Sequence, residues 1–496
     1  MTQTDLLILL PNIVLVAWAC ILLLADLFIP KSRKAITAML AAFGLAMVMG
    51  IVLAQSGKEF TAFNEMIVVD RFSVFLSVLF LATGLFGIAI AYEYLKRMGI
   101  ERGEYYSLLL FSISGMLLMA QAADLIVIFL GLELLSIPLY VLAAWARPKL
   151  ESEEAGLKYF LLGAFATGFV VYGIALIFGA TGSTNFTEML FKINMGEASP
   201  MLLVSGAALL LVGFGFKIAA VPFQWWTPDV YQGAPTSVTA FMSVGAKAAG
   251  FAALTRVLQS AFSPVFTIDW MIATAILAAL TMTVGNLAAL AQKDLKRMLG
   301  YSSIAHAGYI LIGVAAANET GMHGVLFYLL TYTFMSVGAF AVACVVERRE
   351  GFSTVLSDYA GLSQREPLLA AAMAVFMLSL TGIPPLVGFW GKLYVFQAAV
   401  EANMSWLAIL GVINSAISLF YYLGVVVQMY MRHPTPVPPL SATGPAITLA
   451  HRCPRRPFGP GRGAISVAIL LAAVATVALG IWPGAIINLV MWVPFG

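Results

Sequence analysis

Charged residues are scarce in this sequence. Asp, Glu, Lys and Arg make up 10% of the 496 residues, whereas hydrophobic residues make up 61%. An average soluble protein contains about 25% charged residues. This composition argues against a soluble globular fold and indicates a protein that lies in a membrane. The net charge of +3 is too small to indicate binding to nucleic acid.

Cysteine and histidine are also rare. The cysteines Cys20, Cys344 and Cys453 are far apart and form no C-x-x-C motif, which argues against an iron–sulfur cluster or a zinc site. The four histidines include no facing pair for haem, and neither G-x-G-x-x-G nor G-x-x-x-x-G-K-[ST] occurs. We therefore expect this chain to do no redox chemistry and to hydrolyse no nucleotide. Any pumping would be driven by an ion gradient or by a partner protein.

Long apolar runs fill the sequence instead. A helix of about 20 apolar residues crosses the ~30 Å hydrocarbon core of a bilayer. We predict fourteen membrane-spanning segments, numbered here as spans 1 to 14. Their approximate limits are 6–28, 35–55, 72–95, 105–121, 124–146, 159–180, 201–231, 236–258, 268–291, 299–317, 322–346, 367–399, 404–430 and 464–492. The short connections predict a single all-α integral membrane protein.

The basic residues predict the orientation of the chain. Of the 27 Lys and Arg residues, twenty lie in one set of connections and four in the alternate set. Because cytoplasmic connections are rich in Lys and Arg, the first set is predicted to be cytoplasmic. Both termini then lie on the outer, periplasmic side of a bacterial inner membrane. Span 1 has a long apolar run and no basic segment before it, so we expect it to be retained rather than cleaved as a signal peptide.

The remaining three basic residues, Lys217, Lys247 and Lys392, lie inside predicted spans. Placing a basic side chain at mid-membrane costs about 2.5–3.5 kcal/mol on insertion scales, so each lysine needs a physical reason. Glu133 lies near the middle of span 5 and is the one clearly central carboxylate. One interpretation is a static ion pair between Glu133 and a lysine. Three lysines exceed one carboxylate, however, and an unpaired buried amine favours its neutral form, which suits a proton carrier.

Proline breaks accompany two of these lysines. Pro222 follows Lys217 in span 7, and Pro384 and Pro385 precede Lys392 in span 12. Proline removes a helical hydrogen bond and clashes with the preceding turn, so both spans are predicted to be discontinuous, although simple kinks are the alternative. Spans 7 and 12 are each fourth in a set of five, spans 4–8 and spans 9–13. Because five is odd, the second set is inverted, an arrangement typical of transporters.

His306 in span 10 is the remaining candidate. A single histidine on an apolar helix is more often a packing residue than a functional one. Here Ser302 and Ser303 lie close in sequence, and imidazole titrates near neutral pH. We predict that His306 is part of a proton relay.

Four sequence stretches resemble a known family: FLGLELLSIPLYVL, GFGFKIAAVPFQWWTPDVYQGAPTSVTAFMSVGAKAAGF, DLKRMLGYSSIAHAGY and GIPPLVGFWGKLYVF. Over roughly residues 70–430 the chain is similar to the antiporter-like subunits of proton-pumping NADH:quinone oxidoreductase, respiratory complex I. Within this family, the chain most resembles the branch that includes mitochondrial NADH dehydrogenase subunit 2. Three features indicate this branch: Lys392, the total length, and the end after fourteen spans.

The resemblance implies that the chain is a proton-translocating subunit. Glu133 would modulate Lys217, Lys247 and His306 would continue a central polar axis, and Lys392 would face the far exit. NADH, FMN, iron–sulfur clusters and quinone would be bound by partner subunits, and this chain would bind none of them. The other membrane subunits of complex I and the lipid bilayer would be its partners. A cation/proton antiporter subunit of the Mrp type and a non-pumping membrane scaffold remain the alternatives.

The predicted organisation has five parts. Three N-terminal spans occupy residues 1–103, the two five-helix repeats occupy 104–260 and 266–431, an inner loop occupies 432–463, and the last span occupies 464–496. The loop is rich in Pro, Gly and Arg and departs from the family pattern between 441 and 463. It is either an idiosyncratic connection or the product of a local frameshift.

Overall fold

The computed structural model describes residues 3–262, 267–347, 354–433 and 463–493. Within these ranges the chain is almost entirely helical. The predicted inner loop lies outside the described residues, except at its two ends. Twelve described helices are long and apolar enough to cross a membrane. The other two predicted spans are the helix Glu104–Gln121 and the two-part span 12, so the all-α membrane fold is confirmed.

Spans 1 to 6 are single helices. Their bounds are Gln3–Asp26, Ala35–Ala54, Arg71–Met98, Glu104–Gln121, Leu125–Ala143 and Leu150–Thr181. Span 6 begins earlier than predicted because the polar segment before it is also helical, with Glu151 and Glu153 in the first turn, where acidic side chains favour a helix.

Spans 7 to 14 include the two broken helices. Span 7 consists of Pro200–Ile218 and Trp226–Gly233, and span 12 consists of Pro367–Thr381 and Val387–Glu401. Span 8 consists of four consecutive segments, Thr236–Phe241, Met242–Ala246, Lys247–Arg256 and Val257–Ala261. The remaining spans are single helices: Thr267–Leu290 for span 9, Leu295–Ala316 for span 10, Glu319–Val346 for span 11, Ser405–Met431 for span 13 and Gly463–Ile481 for span 14. Met242–Ala246 and Val257–Ala261 are π-helical turns.

Span 14 differs from the sequence prediction. Its helix ends at Ile481 rather than near 492, and a separate short helix, Gly484–Met491, follows. Pro483 explains the interruption, since proline does not continue a helix. Several small elements were also not predicted from the apolar pattern. These are the antiparallel strands Phe60–Ala62 and Ile67–Val69, the helix Phe186–Asn194, and the short helices Lys31–Arg33, Leu356–Tyr359 and Leu362–Arg365.

Both predicted breaks are present. The first part of span 7 ends at Ile218, followed by Ala219 in the left-handed conformation, and the first part of span 12 ends at Thr381, followed by Gly382 in that conformation. Contacts satisfy the exposed backbone at the first break. The indole of Trp226 donates to the carbonyl of Phe216 at 3.0 Å. Such irregular backbone is tolerated at membrane depth only inside protein or beside a wet cavity.

A repeated contact relates the two five-helix sets. Asp124 caps span 5 and accepts a hydrogen bond from the Thr184 hydroxyl at 2.8 Å. Asp294 caps span 10 and accepts one from the Thr354 hydroxyl at 2.7 Å. Each aspartate also forms an antiparallel bridge, to Asn185 and to Val355 respectively. Because five membrane crossings separate the two aspartates, the equivalent contacts lie on opposite membrane faces, as inverted repeats require.

Spans 8 and 10 occupy the interior of the bundle. Almost all of their side chains are buried, whereas spans 1, 6, 9, 13 and 14 expose large apolar side chains, as helices facing lipid do. Any polar group on span 8 or span 10 is therefore enclosed by the other helices.

The membrane face that carries the connections rich in Lys and Arg is called the basic face below.

Candidate functional site

The predicted site residues lie in helices that meet inside the bundle. Lys217, Lys247, His306 and Lys392 are each at most 5% exposed, and Glu133 is half-buried. Lys217 and Lys392 are beside the two helix breaks. Lys247 and His306 lie on the enclosed spans 8 and 10.

Lys217 is the second-last residue of the first part of span 7. Its ammonium donates to the hydroxyl of Ser136 at 2.6 Å and to that of Tyr159 at 3.5 Å. The Ser136 hydroxyl in turn donates to the carbonyl of Leu132, within the same helix. Lys217 is therefore held by neutral hydroxyl groups.

Glu133 lies on span 5, three residues before Ser136, but it does not contact Lys217. Its Oε1 accepts a hydrogen bond from the Thr167 hydroxyl at 2.6 Å. Thr167 and Lys217 line the same small cavity between spans 5, 6 and 7. The two charges are close enough to interact through space. The ion pair weighed from sequence is not formed: Lys217 and Glu133 are near neighbours without direct contact.

Lys247 begins the helical segment that follows the first π-helical turn of span 8. Its ammonium donates to both the hydroxyl and the backbone carbonyl of Ser303 on span 10. It also lies 6.0 Å from the centre of the Tyr332 ring. π-Helical turns are rare and are frequent at functional sites, because they change the direction in which the following side chains point.

His306 is one turn beyond Ser303 on the same helix. Its Nδ1 lies 2.8 Å from the Tyr328 hydroxyl and its Nε2 lies 3.0 Å from the Tyr422 hydroxyl. Because a tyrosine hydroxyl both donates and accepts, either imidazole tautomer satisfies this pair. The two ring nitrogens thus connect span 11 to span 13 through hydrogen bonds.

Lys392 lies in the second part of span 12, but its ammonium reaches back to the break. Nζ donates to the carbonyl of Thr381 at 2.7 Å and lies 4.6 Å from the centre of the Tyr309 ring. That ring is 5.9 Å from the His306 ring. Ser303, His306 and Tyr309 follow one another at three-residue spacing, so one face of span 10 contacts Lys247 at one end and Lys392 at the other.

Spans 7 and 8 also pack closely together beside Lys217 and Lys247. Gly250, one turn beyond Lys247, packs against the Lys217 side chain so closely that an added Cβ would lie 3.3 Å from the Lys217 Cγ. Within the described ranges, no ion pair includes Lys217, Lys247 or Lys392; the ion pairs lie near the ends of the spans. The structure therefore places three unpaired amines and one imidazole in a row inside the bundle.

Sequence reasoning missed most of the groups that bind these residues. Ser136, Tyr309, Tyr328 and Tyr422 contact the lysines or His306, and Thr167 binds Glu133, but none of the five was predicted. Tyrosine occurs widely in membrane helices, since its ring is apolar and its hydroxyl is polar. The usable signal was a polar residue within an otherwise apolar span, which Ser136 and Thr167 show.

Comparison with known proteins identifies the family. The profile of the family described as "NADH:quinone oxidoreductase/Mrp antiporter, TM" matches residues 122–418, more than half of the chain. The chain belongs to this family. The resemblance inferred from the four sequence stretches is thereby confirmed.

Individual relatives of this family match over nearly the whole chain. The NADH-quinone oxidoreductase subunit N of Chloroflexus aggregans is 47% identical over 98% of this chain and 96% of that protein. The protein of the same name from Trichlorobacter lovleyi is 50% identical over 86% of this chain and 87% of its own length. A chain of respiratory complex I from Thermus thermophilus with bound aureothin is 37% identical, with a TM-score of 0.79 over 96% of this chain and 98% of that chain.

A chain of the Mrp complex from Dietzia sp. shares the fold, with a TM-score of 0.84 over 99% of this chain and 97% of that chain. Its sequence is 23% identical to this one. This likeness shows that a chain of a second kind of membrane complex has the same fold. It carries no information about the activity of the present chain.

Proposed function

We propose that this chain is a proton-translocating membrane subunit of an NADH:quinone oxidoreductase. The observation that carries the proposal is the row of unpaired buried amines, Lys217, Lys247 and Lys392, with His306 between the last two. Burial of a charge without a partner is costly, so the row needs a function beyond packing. The strong similarity to subunits of this oxidoreductase supplies the reaction that would drive it.

In this function the row carries protons along the middle of the membrane. A neutral amine accepts a proton and an ammonium releases one, whereas an arginine at the same place would remain charged. Lys217 and Lys247 exchange protons with nearby hydroxyl groups, and His306 passes a proton through Tyr328 or Tyr422. Lys392 lies at the end of the row, beside the second helix break. A change of charge on one group alters the proton affinity of the next, since coupled sites titrate as a set.

Glu133 modulates the first member of the row. Its carboxylate is near Lys217 but is bound to Thr167, so its charge can favour the ammonium form without a direct ion pair. Because Glu133 is half-buried, a neighbouring subunit has access to it. A charge change in that subunit would then alter the protonation of Lys217.

The redox reaction takes place elsewhere in the complex. NADH, FMN, iron–sulfur clusters and quinone are assigned to partner subunits, and this chain is assigned the coupling of their reaction to pumping. Its partners are other membrane subunits of the complex, including antiporter-like neighbours, and the bilayer of a bacterial inner membrane. The basic face is cytoplasmic and both termini are periplasmic, on the distribution of Lys and Arg.

Replacement of Lys392 tests the relay against a structural role. Lys392→Met removes the titrating amine and keeps an unbranched apolar stem, and Lys392→Arg keeps a charge that does not release its proton at working pH. We expect both variants to assemble and to lose NADH-driven pumping and electron transfer together. The control is Lys58→Met and Lys58→Arg, at an exposed lysine between spans 2 and 3. Full pumping by an assembled Lys392→Arg complex would contradict the proposal.

The family description, which includes the Mrp antiporter, makes a cation/proton antiporter subunit the second candidate. The purified chain, reconstituted alone in liposomes, tests it. We expect no exchange of sodium for protons and co-purification with other membrane subunits in mild detergent. Unaided sodium/proton exchange would favour the antiporter instead.

A further inference from the structure

Glu347 is a buried carboxylate outside the row. It follows directly after span 11, at the basic face, and is 3% exposed. Its Oε2 accepts a hydrogen bond from the hydroxyl of Thr236, the first residue of span 8, at 2.6 Å. Its Oε1 is buried and has no hydrogen-bond partner among the described residues. A carboxylate that is buried and only partly bound is costly, so it is a candidate for a functional group.

A second unpaired polar atom lies beside it. The hydroxyl of Tyr359 is buried and also without a hydrogen-bond partner in the described part of the chain, and it interacts electrostatically with Glu347. The main-chain amide of Thr236 donates to the Tyr94 hydroxyl at 3.2 Å. Two unpaired buried oxygens near each other indicate a small polar space that can hold water.

The groups that surround Glu347 come from several spans and include both signs of charge. Lys296 on span 10 is 1% exposed and donates to the carbonyl of Ala234 at 2.6 Å. Arg97 on span 3 donates to the carbonyl of Val345 at 2.8 Å. Among the described residues, Glu347 interacts electrostatically with Tyr94, Lys149, Cys344 and Tyr359. Arg97 and Lys296 interact in turn with Cys344, and Asp294 interacts with Tyr359. Neither Arg97 nor Lys296 forms an ion pair with Glu347 within 4.0 Å in the described structure.

A cavity at the basic face lies beside this cluster. This cavity of about 430 Å³ is lined by charged side chains that include Lys149, Glu151, Asp229 and Asp294. Gly233 lines this cavity and directly precedes Ala234, whose carbonyl binds Lys296, so the wall of the cavity adjoins the buried cluster. Lys149, also in the wall, interacts electrostatically with Glu347 and with Lys296. Water in the cavity would bring protons to the edge of this cluster.

On its other side, Glu347 contacts the span that carries Lys247. Three residues of span 8 touch spans 10 and 11 in succession: Thr236 contacts Glu347, Ser243 lies 3.0 Å from the hydroxyl of Ser336, and Lys247 binds Ser303. The Tyr332 hydroxyl lies near the hydroxyl groups of both Ser303 and Ser336. Hydroxyl groups thus line the way from Ser243 to Lys247.

The longest step is between Thr236 and Ser243. These residues are two helical turns apart, about 10 Å along the axis. The hydroxyl of Thr239 lies between them and donates to the carbonyls of Tyr231 and Pro235. One or two water molecules bound to these hydroxyl and carbonyl groups would complete the connection.

We propose that Glu347 takes up protons from the cavity at the basic face and supplies them to Lys247. This inference rests on the proposed function of the row. A proton from water in the cavity binds the carboxylate of Glu347. The carboxylic O–H bond then breaks, the proton moves along the hydroxyl groups and water, and an N–H bond forms on the neutral amine of Lys247. The carboxylate is regenerated and accepts the next proton from the cavity.

Glu347→Gln tests the proposal in the intact complex. The amide keeps the shape and the hydrogen bond to Thr236 but cannot carry a proton. We expect assembly to be unchanged and NADH-driven pumping to fall about tenfold or more, as for loss of a proton-transfer group. Glu347→Asp should retain most of the activity. The matched control is Glu153→Gln, which removes one negative charge from an exposed position of the basic face that does not line the cavity and should pump normally.

The pH dependence separates proton uptake from a structural role. Without the carboxylate, uptake depends on direct encounter with protons from the cytoplasmic side. The turnover of Glu347→Gln should therefore fall with rising pH on that side, by up to about tenfold per unit, while the parent changes less. Unchanged pumping by Glu347→Gln, an equal loss in Glu153→Gln, or a loss in Glu347→Gln that does not depend on pH would each overturn the proposal.

Thr236 provides the decisive variants if Glu347→Gln does not assemble. Thr236→Val removes the hydroxyl at nearly constant shape, and Thr236→Ser keeps it. Reduced pumping in the first and retained pumping in the second support the proposal, and equal pumping in both overturns it. Lys247→Met, measured in parallel, distinguishes failure of the row from failure of the uptake site at Glu347. If Lys247→Met pumps normally, the row itself is refuted; if it fails while Glu347→Gln pumps normally, only the uptake site is refuted.

Discussion

Gly382 connects the break of span 12 to the position of Lys392. Its φ of 92° and ψ of 38° lie in the left-handed region, where a residue with a Cβ is strained by about 1–2 kcal/mol. A Cβ at this position would lie 3.0 Å from the Cδ of Lys392 and 3.5 Å from its Nζ. Gly382→Ala therefore strains the break and displaces the lysine at the same time.

The displacement affects the contact between Lys392 and Thr381. Nζ donates to the Thr381 carbonyl at 2.7 Å, and a hydrogen bond from a charged donor contributes about 1.5–3 kcal/mol. Weakening it by half that amount changes the rate of a step that needs this geometry by roughly three- to tenfold. We expect Gly382→Ala to assemble, to lower the midpoint for thermal dissociation of the complex, and to reduce NADH-driven pumping in vesicles by that factor.

Gly424→Ala is the matched control. Gly424 lies on the outer surface of the helix Ser405–Met431, and an added Cβ there would meet nothing within 4 Å. Alanine is favoured over glycine by about 1 kcal/mol inside a helix, so this variant should be as stable as the parent or more stable, with normal pumping. The reasoning is refuted if Gly382→Ala is as stable as Gly424→Ala and pumps at the parent rate.

Two further predictions concern the ends of the row and of span 8. Glu133→Gln should leave the complex assembled but depress coupled turnover, because the amide keeps the shape and removes the charge near Lys217; normal pumping would contradict this assignment. Arg256→Leu should destabilise the fold by about 1.5–3 kcal/mol, measured by denaturation, because it breaks a two-bond contact with Asp70 at 2.6 and 2.7 Å. Burial alone would raise the pKa of Asp70, but the charge and hydrogen bonds of Arg256 hold that pKa below its usual value. The stabilisation is thus fully present above about pH 4 and is lost as the pH falls below it, where parent and variant should converge.

Much of the fold could be predicted from the sequence because bilayer thickness constrains the length of an apolar helix. The limits of most spans and the breaks near Pro222 and Pro385 follow from such patterns. Span 6 was assigned too short because hydropathy detects only the part inside lipid, not the polar turns that continue the same helix. Span 14 was assigned too long because Pro483 lies in an apolar stretch. The strand pair Phe60–Ala62 and Ile67–Val69 is too short to produce a period-two pattern.

The site was predictable only in part. A charge inside an apolar span is conspicuous, and this identified the three lysines and Glu133. Hydropathy gives the depth of a residue but not the rotation of its helix, so it did not show that Glu133 binds Thr167 while Lys217 binds Ser136. Likewise, the contact of His306 with Tyr328 and Tyr422 joins three spans that are far apart in sequence. Only their packing brings these residues together.

Lys247 offers the most direct test of the account, because it lies between Lys217 and His306 in the row. The measurement is the number of protons pumped per electron, together with the rate of NADH oxidation, for an assembled Lys247→Met complex in sealed vesicles. If the row carries protons, both should fall together, since the redox reaction is slowed when its coupled proton path is blocked. Assembly with an unchanged rate and an unchanged proton-to-electron ratio would contradict the claim that this row carries protons.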